Sequence, residues 1–272
     1  MRNAWAHVWK NGLVWLVSAV TVAPLLLIVI NSLKDSAQAS SMGMELPTAL
    51  HFSNYAVVFE KGKLGLSLWN SLLYAGVSTA VCVLLASMAA YVYARRRSRA
   101  NRFAYLFMIL GLAMPLNYFT LMKTMQLMHL VNTQLGIILL YAAVQIPLSV
   151  FILYGFVGSV PKELDEAGII DGCGPLRLFF EIVLPLLKPA GVTVFILAFL
   201  NSWNEFVMPL YFLNSAAQWP MTLSVYNFFG QFQMEWNLVS ADIVLTSLPV
   251  VIIYLLGQRY IIAGMTAGSV KG

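Results

Sequence analysis

The sequence alternates between long apolar stretches and shorter polar connections. A helix needs about 20 mostly apolar residues to cross the hydrocarbon core of a bilayer, and six stretches reach that length. The pattern therefore predicts an all-α, polytopic membrane protein whose residues 1–272 form a single transmembrane domain. The six predicted transmembrane helices cover residues 13–33, 68–94, 103–121, 135–158, 189–213 and 238–260.

Positive residues are spread unevenly over the connections, and Lys and Arg are enriched on the cytoplasmic side of membrane proteins. With the N-terminus inside, twelve of the sixteen fall inside and four, at positions 34, 61, 63 and 123, fall outside. The turn at residues 95–102 alone contributes five of the inside set. The distribution predicts that both termini and the connection at residues 161–188 are cytoplasmic.

That connection is rich in acids, because residues 161–189 hold five of the eleven Asp and Glu residues. A proline at position 161 followed by carboxylates suits the start of a helix. Gly172 and Gly174 interrupt the pattern, and a proline at position 175 starts a second helix. Apolar residues then recur at i, i+3, i+4 and i+7, which predicts one buried face; they are Leu176, Phe179, Phe180 and Val183. Two short surface helices of this kind are typical of a docking element.

The residues at 166–172, EAGIIDG, with the downstream Leu184-Pro185, resemble the EAA loop of the membrane subunits of ABC importers. In that family the loop is a pair of cytoplasmic coupling helices that fit a cleft of the ATP-hydrolysing subunit. The resemblance implies ATPase-coupling roles for Glu166, Ala167, Asp171, Gly172, Leu184 and Pro185. Gly168 departs from the usual Ala and is expected to loosen the first helix, because Gly costs about 1 kcal/mol in a helix interior.

The resemblance also implies location and partners. A chain of this family lies in the bacterial inner membrane and works with a second, homologous permease subunit, two ATP-binding subunits and an extracytoplasmic binding protein. It would form half of the translocation pathway. ATP and magnesium would be bound by the partner ATPase, so no cofactor is expected in this chain. The chain itself is then a transport subunit and not an enzyme.

Composition supports a membrane location independently of any motif. Hydrophobic residues make up 60% of the chain and charged residues 10%, against roughly 25% charged residues in soluble domains. The net charge of +5 comes from residues at span ends, so it indicates topology and not nucleic-acid binding. Cys82 and Cys173 lie in different environments and predict neither a disulfide nor a metal site.

The fifth predicted span contains an unusual polar cluster, Asn201-Ser202-Trp203-Asn204-Glu205. An acid within the membrane is costly and is by default a functional candidate. Amides and a carboxylate beside an indole suit sugar hydroxyls and the apolar face of a sugar ring. The same side chains can instead join two helices, and both readings stay open. The run at 203–206 also resembles the carbohydrate-uptake subgroup of these permeases. Candidates for the substrate pathway are Asn201, Trp203, Asn204 and Glu205, with Asn117, Tyr118 and Gln145 as weaker ones.

Two further regions enter through the resemblance. The outer connection at residues 224–236 is rich in aromatic and amide side chains, which suits either a partner site or the headgroup layer. Its position is similar to the loop by which maltose-type permeases reach their external sugar-binding protein. The candidate contacts are Asn227, Phe228, Phe229, Gln231 and Gln233. The polar tail at 264–272, ending in Lys271 and Gly272, resembles a tail that lies between the two ATPase subunits.

The sequence lacks the glycine-rich phosphate loop of an ATPase, metalloprotease helix motifs and serine-hydrolase elbows. These absences exclude catalysis by such motifs, and the resemblance implies a permease subunit of an ATP-driven, binding-protein-dependent importer for oligosaccharides or related sugars. One alternative is an importer of the same class for glycerol phosphate or amino acids. The other is an ion-coupled secondary transporter, which would be expected to carry several ionisable groups within the membrane.

Overall fold

The computed structural model describes the backbone of residues 2–228 and 234–269, and the side chains of residues 10–228 and 234–258. Over these residues the chain is helical and contains no β-strand. The helices are α1 (Arg2–Ser32), α2 (Ser36–Ala39), α3 (Ser53–Lys61), α4 (Leu64–Arg95), α5 (Arg99–Ala113), α6 (Tyr118–Leu127), α7 (Gln134–Val157), α8 (Glu163–Ile170), α9 (Pro175–Arg177), α10 (Leu184–Leu186), α11 (Lys188–Asn204), α12 (Val207–Phe212), α13 (Met221–Ser224) and α14 (Trp236–Ser269). A π-helical turn joins α9 to α10 at Leu178–Val183, and 3₁₀ turns cover Ala216–Gln218 and Val225–Phe228.

Four of the described helices are long and apolar enough to cross a membrane. They are Lys10–Ser32 within α1, all of α4, all of α7, and Trp236–Gln258 within α14. Two bent pairs pass the same test together: α5 with α6, bent by 119°, and Pro175–Leu186 with α11, bent by 78°. The all-α membrane fold is confirmed, and the described part of the chain holds four candidate spans, or up to six if each bent pair is one span.

The span predicted at 103–121 is divided in the structure. Helix α5 ends at Ala113, and Met114 is extended (φ −84°, ψ 125°) because the residue before a proline is pushed out of the helical region. The helical conformation resumes in α6. Just before it, the side chain of Asn117 accepts a hydrogen bond from the backbone N–H of Thr120 at 3.0 Å. The asparagine therefore acts as an N-cap on the far side of the bend.

The span predicted at 189–213 is divided as well. Helix α11 ends at Asn204, and Glu205 has extended dihedral angles (φ −69°, ψ 123°) before α12 begins at Val207. Pro209 has no N–H to donate to the carbonyl oxygen of Glu205, four residues earlier. That carbonyl oxygen instead accepts a hydrogen bond from the Thr222 hydroxyl at 3.0 Å. A side chain outside the helix thus satisfies the group that the proline leaves open.

Contacts divide the chain into two compact units, Met1–Leu66 with Leu223–Pro249, and Ser67–Thr222 with Val250–Gly272. Several buried polar groups of the first unit are hydrogen-bonded within it. The Lys34 ammonium donates to the Gly43 carbonyl oxygen at 2.7 Å, and the Asn54 amide donates to the carbonyl oxygens of Ser32 and Lys34 at 2.8 Å each. The side chain of Asp242 accepts from the Ser224 hydroxyl at 2.7 Å. These buried polar side chains therefore stabilise the unit from within.

The second unit has two apolar clusters. One packs small residues of α4 against α7, α11 and the connection before α11, and its buried members are Ala86, Ala90, Val150, Leu153, Val157, Phe179, Val183, Leu187, Ala190 and Val194. The other joins α4, α6, α7 and α12, and its buried members are Tyr74, Met125, Ile137, Leu140, Tyr141, Met208, Phe212 and Leu213. The first cluster anchors the acidic connection to the helices, and the second packs around the break between α11 and α12.

Candidate functional site

The acidic connection at residues 161–188, which we call the coupling segment, folds as helix, tight turn, helix. Helix α8 ends in a Schellman turn: the N–H of Cys173 donates to the carbonyl oxygen of Gly168 at 2.9 Å, and the N–H of Gly172 donates to that of Ile169 at 3.0 Å. Gly172 has φ +80°, a left-handed conformation that favours glycine. The glycine pair noticed in the sequence thus contributes the residue that this turn requires.

The turn presents acidic and apolar side chains to the outside of the unit. Glu166, Ala167, Asp171 and Gly172 are all exposed. Beside them Ile169, Ile170 and Leu176 are exposed too, and Ile170 keeps 84% of its accessible surface. We call these seven residues the exposed tip. Exposed groups of large apolar residues are typical of surfaces that contact another protein or a membrane.

The second half of the coupling segment departs from the predicted buried face. Phe179 and Val183 are buried, but Leu176 and Phe180 are exposed, so half of that prediction is wrong. Phe180 lies within the π-helical turn at Leu178–Val183, whose wider i→i+5 bonding changes which residues share a face, and Leu176 lies before that turn in α9. Leu178 takes an inward position instead. Of the predicted coupling residues further on, Leu184 is half-buried and Pro185 is exposed.

Gly168 brings the two halves of the coupling segment close together. A Cβ atom at this position would lie 2.6 Å from the Cδ1 atom of Leu178 and 2.8 Å from that of Ile182. The glycine therefore allows a close approach that an alanine would obtain only by moving those side chains. The expected loosening of α8 is offset by packing, because Gly168 is buried.

A cavity of about 670 Å³ lies in the second unit, between α5 and α6, α7, and the α11–α12 break. Most of its lining is apolar. Its polar lining comes from Tyr141, Gln145, Ser149, Asn201, Ser202 and Glu205. Of the substrate-pathway residues predicted from the sequence, the structure brings Gln145, Asn201 and Glu205 together here. A mainly apolar cavity with a few convergent polar groups is typical of a small-molecule site.

Several of these polar groups also hold helices together. The Gln145 amide of α7 donates to the Ser202 hydroxyl of α11 at 2.5 Å, and that hydroxyl lies 3.3 Å from the Ser78 hydroxyl of α4. The Ser149 hydroxyl of α7 donates to the backbone carbonyl oxygen of Gln145 at 2.8 Å. It also lies 3.2 Å from the sulfur of Cys82 in α4. Hydrogen bonds between helices of this kind stabilise membrane bundles. Gln145 thus has a structural role whatever else it does.

Glu205 has a defined structural partner as well. Its Oε1 atom accepts hydrogen bonds from the backbone N–H groups of Val207 at 2.8 Å and Met208 at 3.1 Å. These are two of the N–H groups that the start of a helix leaves without partners, and a negative charge is favoured there. The carboxylate of Glu205 therefore stabilises the first turn of α12 and lines the cavity at the same time.

The other predicted pathway residues lie elsewhere. Trp203 is 2% exposed, and its ring lies 5.7 Å from that of Phe199, outside the cavity lining. Asn204 is exposed, with its amide bonded to the carbonyl oxygen of Leu200 at 2.9 Å. Asn117 caps α6, and the ring of Tyr118 lies 5.5 Å from that of Tyr211. None of the four residues predicted here lines the cavity.

Sequence reasoning missed Tyr141 and Ser149 of the lining. Together with Gln145 they are spaced at i, i+4 and i+8 along α7, so they share one face of an otherwise apolar helix. That spacing was the signal available in the sequence. Tyr141 is 3% exposed, and its hydroxyl has no hydrogen-bond partner among the described residues. A buried hydroxyl of this kind at a cavity wall is suited to a polar ligand.

The candidate contacts for an external protein are only partly described. Asn227 is exposed, and its amide donates to the Gly62 carbonyl oxygen at 3.2 Å. Phe228 is 5% exposed, with its ring against Gly62, so it does not lie on the accessible surface of the first unit. Phe229, Gln231 and Gln233 lie outside the described residues, and so do Lys271 and Gly272 of the tail. Helix α14 extends to Ser269.

Over residues 10–228 and 234–258, no three His, Cys, Asp or Glu side chains are grouped as a metal site would require. The structure instead combines apolar helices of membrane-spanning length, a polar-lined cavity and an exposed acidic and apolar tip. These features define a membrane transport component.

Residues 82–267 match the family of binding-protein-dependent transport system inner membrane components, and the chain belongs to this family. It is 34% identical over 260 residues to the melibiose/raffinose/stachyose import permease protein MelC of Bacillus subtilis (strain 168), covering 94% of each chain. It is 31% identical over 266 residues to the diacetylchitobiose uptake system permease protein NgcG of Streptomyces coelicolor, covering 96% of this chain and 88% of the relative. Its fold is that of a chain in the crystal structure of a bacterial ABC transporter involved in the import of the acidic polysaccharide alginate. The TM-score is 0.84 at 18% identity, with 96% and 98% of the two chains covered.

Proposed function

We propose that this chain is a permease subunit of an ATP-driven, binding-protein-dependent importer for oligosaccharides or related sugars. Family membership supports the class of binding-protein-dependent importers, and it argues against an ion-coupled secondary transporter. The chain would lie in the bacterial inner membrane with both termini in the cytoplasm. Its partners would be a second, homologous permease subunit, two ATP-binding subunits and an extracytoplasmic sugar-binding protein. ATP and magnesium would bind to the ATP-binding subunits and not to this chain.

The exposed tip is the single observation that carries the proposed coupling to ATP hydrolysis. An acid and several large apolar side chains stand out from a rigid turn, and none of them is needed for the packing of their own unit. Glu166 would pair with a basic residue of the ATP-binding subunit, while Ile169, Ile170 and Leu176 would fill an apolar cleft. Leu184 and Pro185 would hold the second half of the coupling segment in that cleft. Closure of the ATPases on ATP would then move the segment as a lever.

The cavity supports a sugar cargo. Sugars offer hydroxyl groups that both donate and accept hydrogen bonds, together with apolar ring faces. Gln145, Asn201, Glu205 and the Tyr141 hydroxyl provide acceptors and donors within a largely apolar wall. The named relatives import neutral oligosaccharides such as raffinose, stachyose and diacetylchitobiose. The described cavity lining contains no Lys or Arg, which disfavours glycerol phosphate as the cargo.

A reconstitution experiment tests the proposal. The chain would be co-expressed with the permease, ATPase and binding-protein genes next to its own gene, purified by a tag on this chain, and placed in liposomes. We expect the ATP-binding subunit to co-purify, and ATP inside the liposomes to drive uptake of at least one sugar from a radiolabelled panel of melibiose, raffinose, maltodextrin and diacetylchitobiose. If the ATP-binding subunit co-purifies but glycerol phosphate or an amino acid is taken up instead, the proposed class of importer stands and the proposed sugar cargo is wrong. Failure to recover an ATP-binding subunit would overturn the proposed function.

Orientation is tested at Cys173, in the tight turn of the coupling segment. This thiol is half-buried, whereas Cys82 is fully buried, so a maleimide that cannot cross membranes reports on Cys173. We expect no labelling in intact spheroplasts and labelling after permeabilisation, with Cys173→Ser as the control. Labelling of intact spheroplasts would place the coupling segment outside and contradict the proposal.

A further inference from the structure

The end of helix α4 is tied to the start of the coupling segment by one arginine. Arg95 is the last residue of α4, and its Nε atom lies 2.5 Å from the Oδ2 atom of Asp165 in the first turn of α8. Its Nη2 atom donates to the carbonyl oxygen of Val160 at 3.1 Å and lies 3.5 Å from that of Pro161. A single guanidinium thus forms an ion pair with a carboxylate and a hydrogen bond with the backbone that leads into it.

The ion pair is buried, unlike its neighbours. The side chains of Arg95 and Asp165 are 12% and 11% exposed, whereas the next residues, Arg96 and Arg97, are exposed. Removing two charges from water is costly, and one left without its partner is more costly still. Removing either side chain alone would therefore leave the other charge poorly hydrated and without its partner.

Adjacent acids of α8 face opposite ways. Asp165 is 8% exposed and points to α4, while Glu166, the next residue, is exposed at the tip proposed to meet the ATPase. Only Oδ2 of Asp165 is engaged, and Oδ1 has no hydrogen-bond partner among the described residues. The first turn of α8 thus has one carboxylate for an external partner and one for its own helix bundle.

Helix α4 also contacts the second half of the coupling segment. The ring of Tyr91, one turn before Arg95, lies 5.9 Å from the ring of Phe179. Ala86 and Ala90 share an apolar cluster with Phe179 and other buried residues of that half. Alanines allow a close approach between helices. The same end of α4 therefore holds the segment through an ion pair on one side and apolar packing on the other.

We propose that the Arg95–Asp165 pair is the joint through which movement of the coupling segment is passed to α4, and that it stays closed throughout the transport cycle. This inference rests on the proposed function. Glu166 receives the displacement from the ATPase, and Asp165 passes it through Arg95 to a helix long enough to span the membrane. Arg95 and Asp165 are then positioning residues: they touch neither cargo nor nucleotide, and their loss uncouples the cavity from ATP.

The test measures coupling and not only folding. The complete complex, with Cys173→Ser, carries a reporter made by Ala143→Cys, at an exposed position in the cavity wall. ATP hydrolysis is measured with ATP alone. The rate of reporter labelling by a methanethiosulfonate reagent is measured without nucleotide and with ATP plus vanadate. In the parent complex we expect nucleotide to change the labelling rate about tenfold. In Arg95→Gln and in Asp165→Asn we expect ATP hydrolysis to continue while the labelling rate no longer responds to nucleotide.

Matched controls remove the same charges nearby. Arg97→Gln and Glu163→Gln alter exposed residues two positions away, and both are expected to keep the full response. The charge-reversed double variant, Arg95→Asp with Asp165→Arg, is expected to respond more strongly than either single reversal. A nucleotide response equal to that of the parent in Arg95→Gln and Asp165→Asn would overturn the proposal, and so would a double reversal no better than the single ones.

A cross-link covers the case in which the single variants do not insert. Arg95→Cys with Asp165→Cys, in a complex with Cys173→Ser and without the reporter cysteine, is joined by a short bifunctional thiosulfonate, which replaces the ion pair by a covalent link. Because this reagent would also react with the reporter thiol, the readout is ATP-driven sugar uptake in liposomes. Uptake restored on linking supports a joint that stays closed, and a linked complex without uptake overturns it. A parent complex that neither hydrolyses ATP nor responds would instead overturn the proposed function, which is a separate result.

Discussion

The coupling segment and the cavity region both contain polar residues that stand out in an apolar sequence, but they use them in opposite ways. In the coupling segment Glu166 and Asp171 are exposed beside Ile169 and Ile170, with their side chains free for a partner. In the cavity region the Gln145 amide bonds to Ser202, and the Glu205 carboxylate bonds to the start of α12. Within a membrane, backbone and side-chain polar groups must first be satisfied internally.

The difference teaches that an intramembrane acid is weaker evidence for ligand binding than an exposed acid is for docking. Glu205 would be present in this position for the sake of α12 alone. Glu166 lies in the first turn of α8, where a negative charge is favoured, but its exposed side chain stays available to a partner outside the chain. Four predictions test this contrast, from the largest expected effect to the smallest.

Reversing the charge at the exposed tip should have the largest effect. Glu166→Lys is expected to leave membrane insertion unchanged, because the side chain is exposed, and to lower ATP-driven sugar uptake at least about tenfold. Uptake and ATP hydrolysis in liposomes provide the measurement. Glu163→Lys, in the same turn and also exposed, is the control and should transport nearly as the parent does. Normal uptake by the Glu166 variant would remove its coupling role.

The capping role of Glu205 predicts a smaller effect, on stability. Glu205→Ala leaves two N–H groups of α12 without their acceptor and should lower the free energy of unfolding by about 1 kcal/mol. Glu205→Gln retains an acceptor oxygen and should lose less than half of that. Thermal unfolding of the purified complex, followed by tryptophan fluorescence, measures both, with Asn204→Ala as the control. Equal losses in the Gln and Ala variants would show that the charge matters and the hydrogen bonds do not.

Replacing the two glycines of the tight turn by alanine should affect its stability differently. Gly172 has φ +80°, so Gly172→Ala should destabilise the turn by about 1 kcal/mol. Gly174 has φ −68° and open space around it, so Gly174→Ala should be neutral or slightly stabilising. Hydrogen exchange of peptides covering residues 166–176 gives the comparison. Equal exchange in the two variants would contradict the left-handed turn.

The weakest effect is expected from the hydrogen bond between α7 and α11. A double-mutant cycle with Gln145→Ala and Ser202→Ala should give a coupling of about 0.6 kcal/mol, the average for hydrogen bonds between membrane helices. A cycle of Gln145→Ala with Ser159→Ala is the control, since Ser159 bonds only within its own turn. A coupling near zero in the first cycle would mean that the Gln145 amide is available to a ligand.

Much of this molecule could be predicted from local patterns in the sequence. Apolar stretches located the helices of membrane-spanning length, because the cost of exposing backbone in lipid leaves few other structures. The pair of glycines between two prolines located the break in the coupling segment, because only glycine adopts the left-handed conformation at little cost. The EAA-like residues identified the class of transporter, which family membership confirms.

Tertiary packing decided the rest. The π-helical turn reversed the predicted burial of Phe180, and the alternation of inward and outward residues there depends on how Phe179 packs against α4. Trp203 was selected with its neighbours as a pathway residue, yet it lies in the interior. Arg95 and Asp165 are 70 residues apart in the sequence. The sequence indicated only that Arg95 is one of the positive residues on the cytoplasmic side and that Asp165 is one of five acids in its connection. A pattern read over one or two turns carries hydrophobicity and backbone preference, but it holds no information about which distant side chain will come to lie against a given atom.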